Sequence, residues 1–387
     1  MYDLLVKNAR IFTACSEIIE CGFLAVKNGK IVSIISSGEE DITESAKTII
    51  NAEGKNIYPG LIDAHSHIGL LGSGQGAEGD DLNEDSENAV PHIRAIDGVD
   101  TFDEAFAEAR GNGITAVLTG SGSANPVGGD IIAVKTAGVI ADKMVIKTAG
   151  IKFALGENPK NRADTDSAPK TRMGTAAVIR ETLFTAKHYL ESKQSAEKSG
   201  GDFPDFDFKS ESLLPLLEGK IAAHFHCHKA SDIVTAVRIA DEFGLDLVLI
   251  HCSEGYKVAD FLRGKKAVLG PFFGTKDKPE LGGINDKNPS VLEKAGVTVA
   301  IASDYPEIPL KMLRMSAAEA VKNGMSKEGA LLSLTKNAAT LAGIDNRCGS
   351  LEAGKDADFI ITDGELFDFN TEIITTVING EIVYERQ

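Results

Sequence analysis

The 387-residue sequence predicts an α/β fold: a (β/α)8 TIM-type barrel over residues 57–345 and a small composite β-sandwich domain built from both chain ends, 1–56 with 346–387. Three observations predict it. Both ends alternate apolar and polar residues, and the middle alternates short β-branched runs with segments of helical spacing. Six of the eight histidines fall at or just after the C-terminal ends of the predicted middle strands, the end at which barrels build their sites.

Leu4 and Val6, then Phe23 and Ala25, then Ile31, Ser33 and Ile35 alternate through the first segment, with Asn28-Gly29 between two runs. That pair suits a two-residue hairpin turn, whose central residues both need positive φ. The same grammar returns at 358–362 and 376–378, before Asn379-Gly380 and 381–384. Two β-rich ends flanking a long middle suggest one domain assembled from both. In the middle, 57–63, 114–119, 145–153, 221–226, 246–251, 267–269 and 297–303 read as buried strands, with an eighth at 131–135. Segments 103–110, 175–193, 231–243, 310–322 and 326–341 carry helical spacing, and 195–207 reads as an exposed insertion. A doubly wound open sheet is the alternative.

Lys and Arg number 40 against 57 Asp and Glu, a formal charge of −17, which argues against nucleic acid or an anionic membrane as partner. With 43% hydrophobic and 25% charged residues the chain has the balance of a globular protein, not of a disordered one. There is no basic-then-apolar leader and no apolar run long enough to span a bilayer, so a cytoplasmic location is expected. Five scattered cysteines without a CxxC read as reduced thiols. Tryptophan is absent and aromatics are 6%, which disfavours stacking platforms. A small-molecule substrate is the expected partner, and a homo-oligomer is compatible with the sequence.

The chemistry concentrates in four places. Asp63-Ala-His65-Ser-His67 ends the first predicted barrel strand, and alternation puts both imidazoles on one face about 7 Å apart, close enough to share a metal where the strand curls. His224-Phe-His226-Cys-His228 ends another strand. Those three share a face, and His226 at the rim is the favoured ligand; His224 reads equally as a core histidine and His228 as a substrate contact. His251 ends the next strand, and Asp304 the last. A carboxylate there can hold a divalent ion and accept a proton from its water, whose pKa such an ion lowers from 15.7 to about 7.

Pro59-Gly-Leu-Ile-Asp-Ala-His65-Ser-His67, the single histidines on two later strands, Ser303-Asp304 and the tail Gly349-Ser-Leu-Glu-Ala-Gly-Lys-Asp-Ala-Asp358-Phe-Ile-Ile together resemble the amidohydrolase superfamily. The likeness runs over nearly the whole chain and is nearest to the imidazolonepropionase-related branch, which includes prolidase-like and cyclic-amide hydrolases. The resemblance implies His65 and His67 on a more buried metal, His226 and His251 on another, and Asp304 as ligand and general base. It offers Lys152, in Thr148-Ala-Gly-Ile-Lys152, as a carboxylated lysine bridging two ions, with Glu157 as competitor. Zinc is the default for such donors, one or two ions per chain; iron, manganese and nickel fit the same set.

The implied activity is cleavage of a C–N amide bond by a metal-activated hydroxide, in a cyclic amide, an N-acyl amino acid or a dipeptide-like substrate. Alternatives are a deaminase, disfavoured because no acid follows His226 until Asp232, and a non-catalytic barrel scaffold. Glycine-rich runs at 69–81 and 119–129 read as pocket walls. Among Lys160, Arg162, Lys170 and Arg172, Arg172 is the candidate to hold a substrate carboxylate.

Overall fold

Strands from the two ends of the chain meet in a single sheet, and a second sheet between them curls into a nearly closed barrel. The computed structural model describes residues 1–37, 45–72, 76–160 and 168–386. In chain order, β1 (Tyr2–Ile11), β2 (Ile19–Lys27), β3 (Lys30–Ser36), β4 (Ala46–Asn51) and β5 (Asn56–Pro59) form the first sheet. Eight strands follow in the second: β6 (Leu61–Ser66), β7 (Ile114–Gly120), β8 (Val127–Lys135), β9 (Val145–Ala154), β10 (Ala222–Cys227), β11 (Leu247–His251), β12 (Lys266–Leu269) and β13 (Thr298–Ile301). Finally β14 (Phe359–Thr362), β15 (Ile373–Ile378) and β16 (Glu381–Glu385) return to the first sheet.

The join between the chain ends is the antiparallel pairing of β5 with β14, with Ile57 opposite Ile361 and Tyr58 opposite Ile360. Across the whole sheet the order is β16-β15-β14-β5-β1-β2-β3, with β4 also paired to β1. Leu4, Val6, Leu24, Val26, Ile57, Phe359, Ile361 and Val377 form its buried core, which is why the apolar alternation was legible. Both Asn-Gly turns are present, with φ of 52° and 72° at Asn28 and Gly29 and 50° and 79° at Asn379 and Gly380. The two turns abut: a Cβ on Gly29 would stand 2.9 Å from the Asn379 carbonyl oxygen, so only glycine permits the approach.

The barrel differs from a uniform (β/α)8 in one strand. β8 runs antiparallel to both β7 and β9, whereas the remaining neighbours from β6 to β13 are parallel. Residues 121–126 are too short a link for the helical crossover that a parallel return needs, so β8 folds back as a hairpin partner. The seam between the first and last strands closes above β13, where Asp304 N donates to the His65 carbonyl (3.0 Å) and His67 N to the Tyr305 carbonyl (2.8 Å).

Reversing β8 sends its last residue, Lys135, to the end of the barrel opposite the histidines. There its buried ammonium pairs with Asp358 and with Asp356 (2.9 Å), and Lys30 and Arg347 reach Asp356 as well. The tail run Asp356-Ala-Asp358 thus pins the barrel to the composite sheet. Outside the barrel, helix Arg172–Ser199 extends further than the predicted 175–193 and stops at Gly200 (φ 68°), so the exposed insertion shrinks to the segment after it. The predicted 326–341 helix is two, Lys327–Ser333 and Lys336–Ala342. All five cysteines are free. Among the described residues no helix is long and apolar enough to cross a membrane.

Candidate metal centre

Each site residue owes its position to the pleat of a buried strand. Asp63 and His65 alternate along β6, and His67 lies just beyond it. Lys152 on β9 stands level with His224 on β10, and His226 comes two residues further along. His251 ends β11 beside Cys227, and both His251 and Cys252 have positive φ, 66° and 43°. Asp304, with φ of 56°, sits just past β13, which lets the chain turn its carboxylate toward the histidines. Positive φ at residues other than glycine costs about 1–3 kcal/mol each and collects at functional sites.

These side chains converge on one cavity of about 680 Å³, whose wall includes His65, His67, Lys152, His226, His228, His251 and Asp304. His65 Nε2 and His67 Nε2 approach the same Asp304 oxygen at 3.3 and 3.5 Å, and His251 Nδ1 lies 4.0 Å from the other. His67 Nδ1 donates to the Gly120 carbonyl at 2.7 Å and His251 Nδ1 to that of Gly270 at 2.8 Å. Each bond fixes the tautomer and leaves Nε2 with its lone pair, the state a metal ligand needs.

The electrostatics agree. Burial pulls the His65 imidazole down to about 3 and His228 to about 4, and holds His226 and His251 well below the ordinary histidine range, so all are neutral donors at pH 7. Burial pushes the Asp304 carboxyl upward, and its neighbours His251, His65 and His67 draw it well below the ordinary range to the extent that they carry a proton. Lys152, fully enclosed with its Nζ 3.3 Å from His65 Nε2, is drawn down to about 8 by burial.

Two groups of ligating atoms could hold an ion here, His65 with His251 and Asp304, and His226 with His228 and His251. His228, read from sequence as a substrate contact, is therefore brought among the candidate ligands. His224 is not: it lies deeper in the barrel, with a Cβ on Gly150 only 2.5 Å from its ring. Glu157 lines the cavity but belongs to neither group. Cys348, Asp356 and Asp358 make a third group, but Lys135 already neutralises it.

Arg172 is not among the residues lining this cavity. Its Nε donates to both oxygens of buried Asp232, at 3.0 and 3.1 Å, and this pair braces the outer wall. Arg162 lies outside the described residues, as do 73–75 of the first glycine-rich run. Gly122 of the second run does line the cavity.

Glu280 escaped the sequence reading. It sits on the turn Pro279–Gly283 after β12, is 1% exposed, and aims Oε1 at His226 and His228.

This arrangement can be set against known proteins. The model of the amidohydrolase family matches residues 282–383. An amidohydrolase of known structure from Thermotoga maritima MSB8 is 38% identical, superposes with a TM-score of 0.94 and is covered completely by 99% of this chain. Imidazolonepropionase from Thermoplasma volcanium is 25% identical over 96% of this chain and 92% of its own length. The amidohydrolase TasK of Hapsidospora irregularis is 25% identical over 94% of this chain, which spans only 40% of that relative. The chain belongs to the amidohydrolase family and is a hydrolytic enzyme acting on C–N bonds, so the scaffold alternative falls away.

Proposed function

We propose that this enzyme is a metal-dependent hydrolase of small amides, with a cyclic amide, an N-acyl amino acid or a dipeptide-like molecule as substrate and Asp304 as general base. One observation carries the reading: two histidines whose Nε2 atoms face a single Asp304 oxygen at 3.3 and 3.5 Å on the wall of a substrate-sized cavity. The donor set fits a divalent ion. Burial keeps the imidazoles of His65, His226, His228 and His251 neutral, and both His226 nitrogens and Glu280 Oε1 are buried without a hydrogen-bond partner.

His65, His67 and Asp304 would hold one ion, His226 and His251 a second, with Lys152 bridging after carboxylation. Zinc is the first choice; iron, manganese and nickel suit the same donors. When bound, such ions would polarise the amide carbonyl and acidify water at neutral pH. The protein's own work is to place Asp304 where it takes the attacking water's proton and hands it to the leaving nitrogen, as a general base and then acid. The same reading takes residues 57–345 as the catalytic barrel domain and 1–56 with 346–387 as a sandwich-like companion, in a cytoplasmic enzyme.

The test is metal counting followed by a substrate screen. Protein reconstituted with Zn²⁺ or Mn²⁺ in bicarbonate should retain at least one tightly held ion per chain and hydrolyse a member of an amide library. Failure to retain an ion would sink the proposal. Ammonia release from nucleobases without amide cleavage would replace it with deamination.

A further inference from the structure

We infer that Glu280 is a ligand of the second cation site, completing a three-histidine, one-carboxylate set with His226, His228 and His251. This rests on the metal-dependent reading above and adds to it a ligand from the loop after the seventh barrel strand.

Four observations carry the inference. Glu280 Oε1 is buried without a hydrogen-bond partner, 3.9 Å from His226 Nε2 and 4.0 Å from His228 Nε2. Ligand atoms about 2.0–2.2 Å from a tetrahedral ion stand roughly 3.4 Å apart, so these gaps match a site that tightens slightly on loading. The three rings crowd one another, with centroids 4.8 Å apart for His226 and His228 and 4.6 Å for His251 against each. Finally, two of the converging groups are acceptors, the Glu280 carboxylate and the His251 imidazole. His251 donates Nδ1 to the Gly270 carbonyl, which leaves its Nε2 lone pair available to an ion, and His228 Nδ1 meets Ser253 Oγ at 2.8 Å. Acceptors brought together under burial repel unless a cation lies between them.

The carboxylate is also aimed. Glu280 Oε2 accepts from Glu157 N at 2.8 Å, which pins one oxygen and leaves the other for the histidines. Gly156, with φ of 87°, passes so close that a Cβ would stand 2.5 Å from that pinned oxygen, so the chain makes room for the carboxylate by omitting a side chain. The Arg172–Asp232 pair stands on the far side of Gly156, with Asp232 Oδ2 3.6 Å from the same Cβ position.

Glu280→Gln tests the inference, because glutamine keeps an acceptor for Glu157 N and removes only the charge. Zn²⁺ affinity is read by competition with a chromophoric chelator, alongside the visible spectrum of the Co²⁺-loaded protein. The variant should bind one class of ion at least about tenfold more weakly, leave the class that depends on Asp304 unchanged, and alter the Co²⁺ spectrum. Stripped of metal, it should melt no lower than stripped wild type, since it no longer buries an uncompensated carboxylate. Affinities and spectrum equal to wild type would overturn the inference while leaving the proposed function intact; wild-type protein that holds no ion would overturn both. Crystals of the wild-type protein soaked in Mn²⁺ give a readout independent of variant folding. An anomalous peak bonded to Glu280 supports the assignment, and an ion on His226 and His251 with the Glu280 oxygens beyond about 3 Å ends it.

Discussion

Asp63 accepts from Ser303 twice, from its backbone N–H at 3.1 Å and from its hydroxyl, across the seam where the first and last barrel strands meet. The same carboxylate also receives the His65 N–H at 3.4 Å. One buried carboxyl therefore ties the residue before Asp304 to the backbone of His65, and so sets the spacing between two candidate ligands. Burial raises this group to about 7 despite the donors around it, which marks how much those donors must offset.

Replacing Ser303 by Ala should remove the hydroxyl donor and leave the two backbone bonds. The expected loss is about 1.5–3 kcal/mol, the range for a hydrogen bond to a charged group, read from urea unfolding of the metal-free protein. Metal affinity should fall with it, because His65 and Asp304 lose their shared anchor. Unchanged affinity in a destabilised variant would show that the seam holds the barrel without setting the site.

Lys135 makes the opposite prediction. Its buried ammonium faces Asp356 and Asp358 at the far end of the barrel, so Lys135→Met should cost about 3–5 kcal/mol while kinetic constants and metal content stay put. The pH signs are fixed. Asp356, drawn down to about 2 against the upward push of burial by Lys135, Lys30 and Arg347, contributes stability present above pH 3.8 and lost as pH falls toward 2. Lys135 is raised by Asp358, Cys348 and Asp356 against desolvation, so its contribution is full below 10.5 and disappears only in stronger base. The difference between wild type and variant should be flat from about pH 4 to 10 and shrink below that window. A difference already halved at pH 5 would contradict the assignment.

These two anchors also show where sequence reasoning stops. Asn28-Gly29 and Asn379-Gly380 were legible because positive φ is a local demand, and His65, His67, His251 and Asp304 because strand ends can be read from apolar runs. The direction of β8 was not, since the run around Ile131 is equally apolar either way up; the signal lay in the short link 121–126. Arg172 finds its partner Asp232 sixty residues away, beyond any local pattern. Glu280 hides in a stretch that composes like a surface loop. Only the length of the connection from β12 to helix Asn288–Ala295 marks it, because loops that long inside a compact domain usually serve a function.

Lys152 should make metal loading depend on carbon dioxide. With the amine drawn down to about 8, roughly a quarter is neutral at pH 7.5, against about 0.1% for an ordinary lysine. Protein stripped and reconstituted in CO2-free buffer should recover little activity, and added bicarbonate should restore it, more readily as pH rises through 8. Lys152→Ala should hold fewer ions and ignore bicarbonate. Full recovery of the wild type without bicarbonate would remove the carboxylated-lysine bridge from the proposal and bring Glu157, which lines the same cavity, forward in its place.

Asp304→Asn separates proton transfer from ion binding. Asparagine keeps an oxygen for His65 and His67 but cannot take a proton, and losing a general base typically costs about 10²–10⁴-fold in rate. The group formed by His226, His228 and His251 does not include Asp304, so the variant should keep at least one ion while turnover falls by that factor. Metal analysis and steady-state kinetics on one preparation read both quantities together. Retained turnover would move the base elsewhere, and Glu280, whose unpartnered oxygen faces His226 and His228, is then the carboxylate to substitute next.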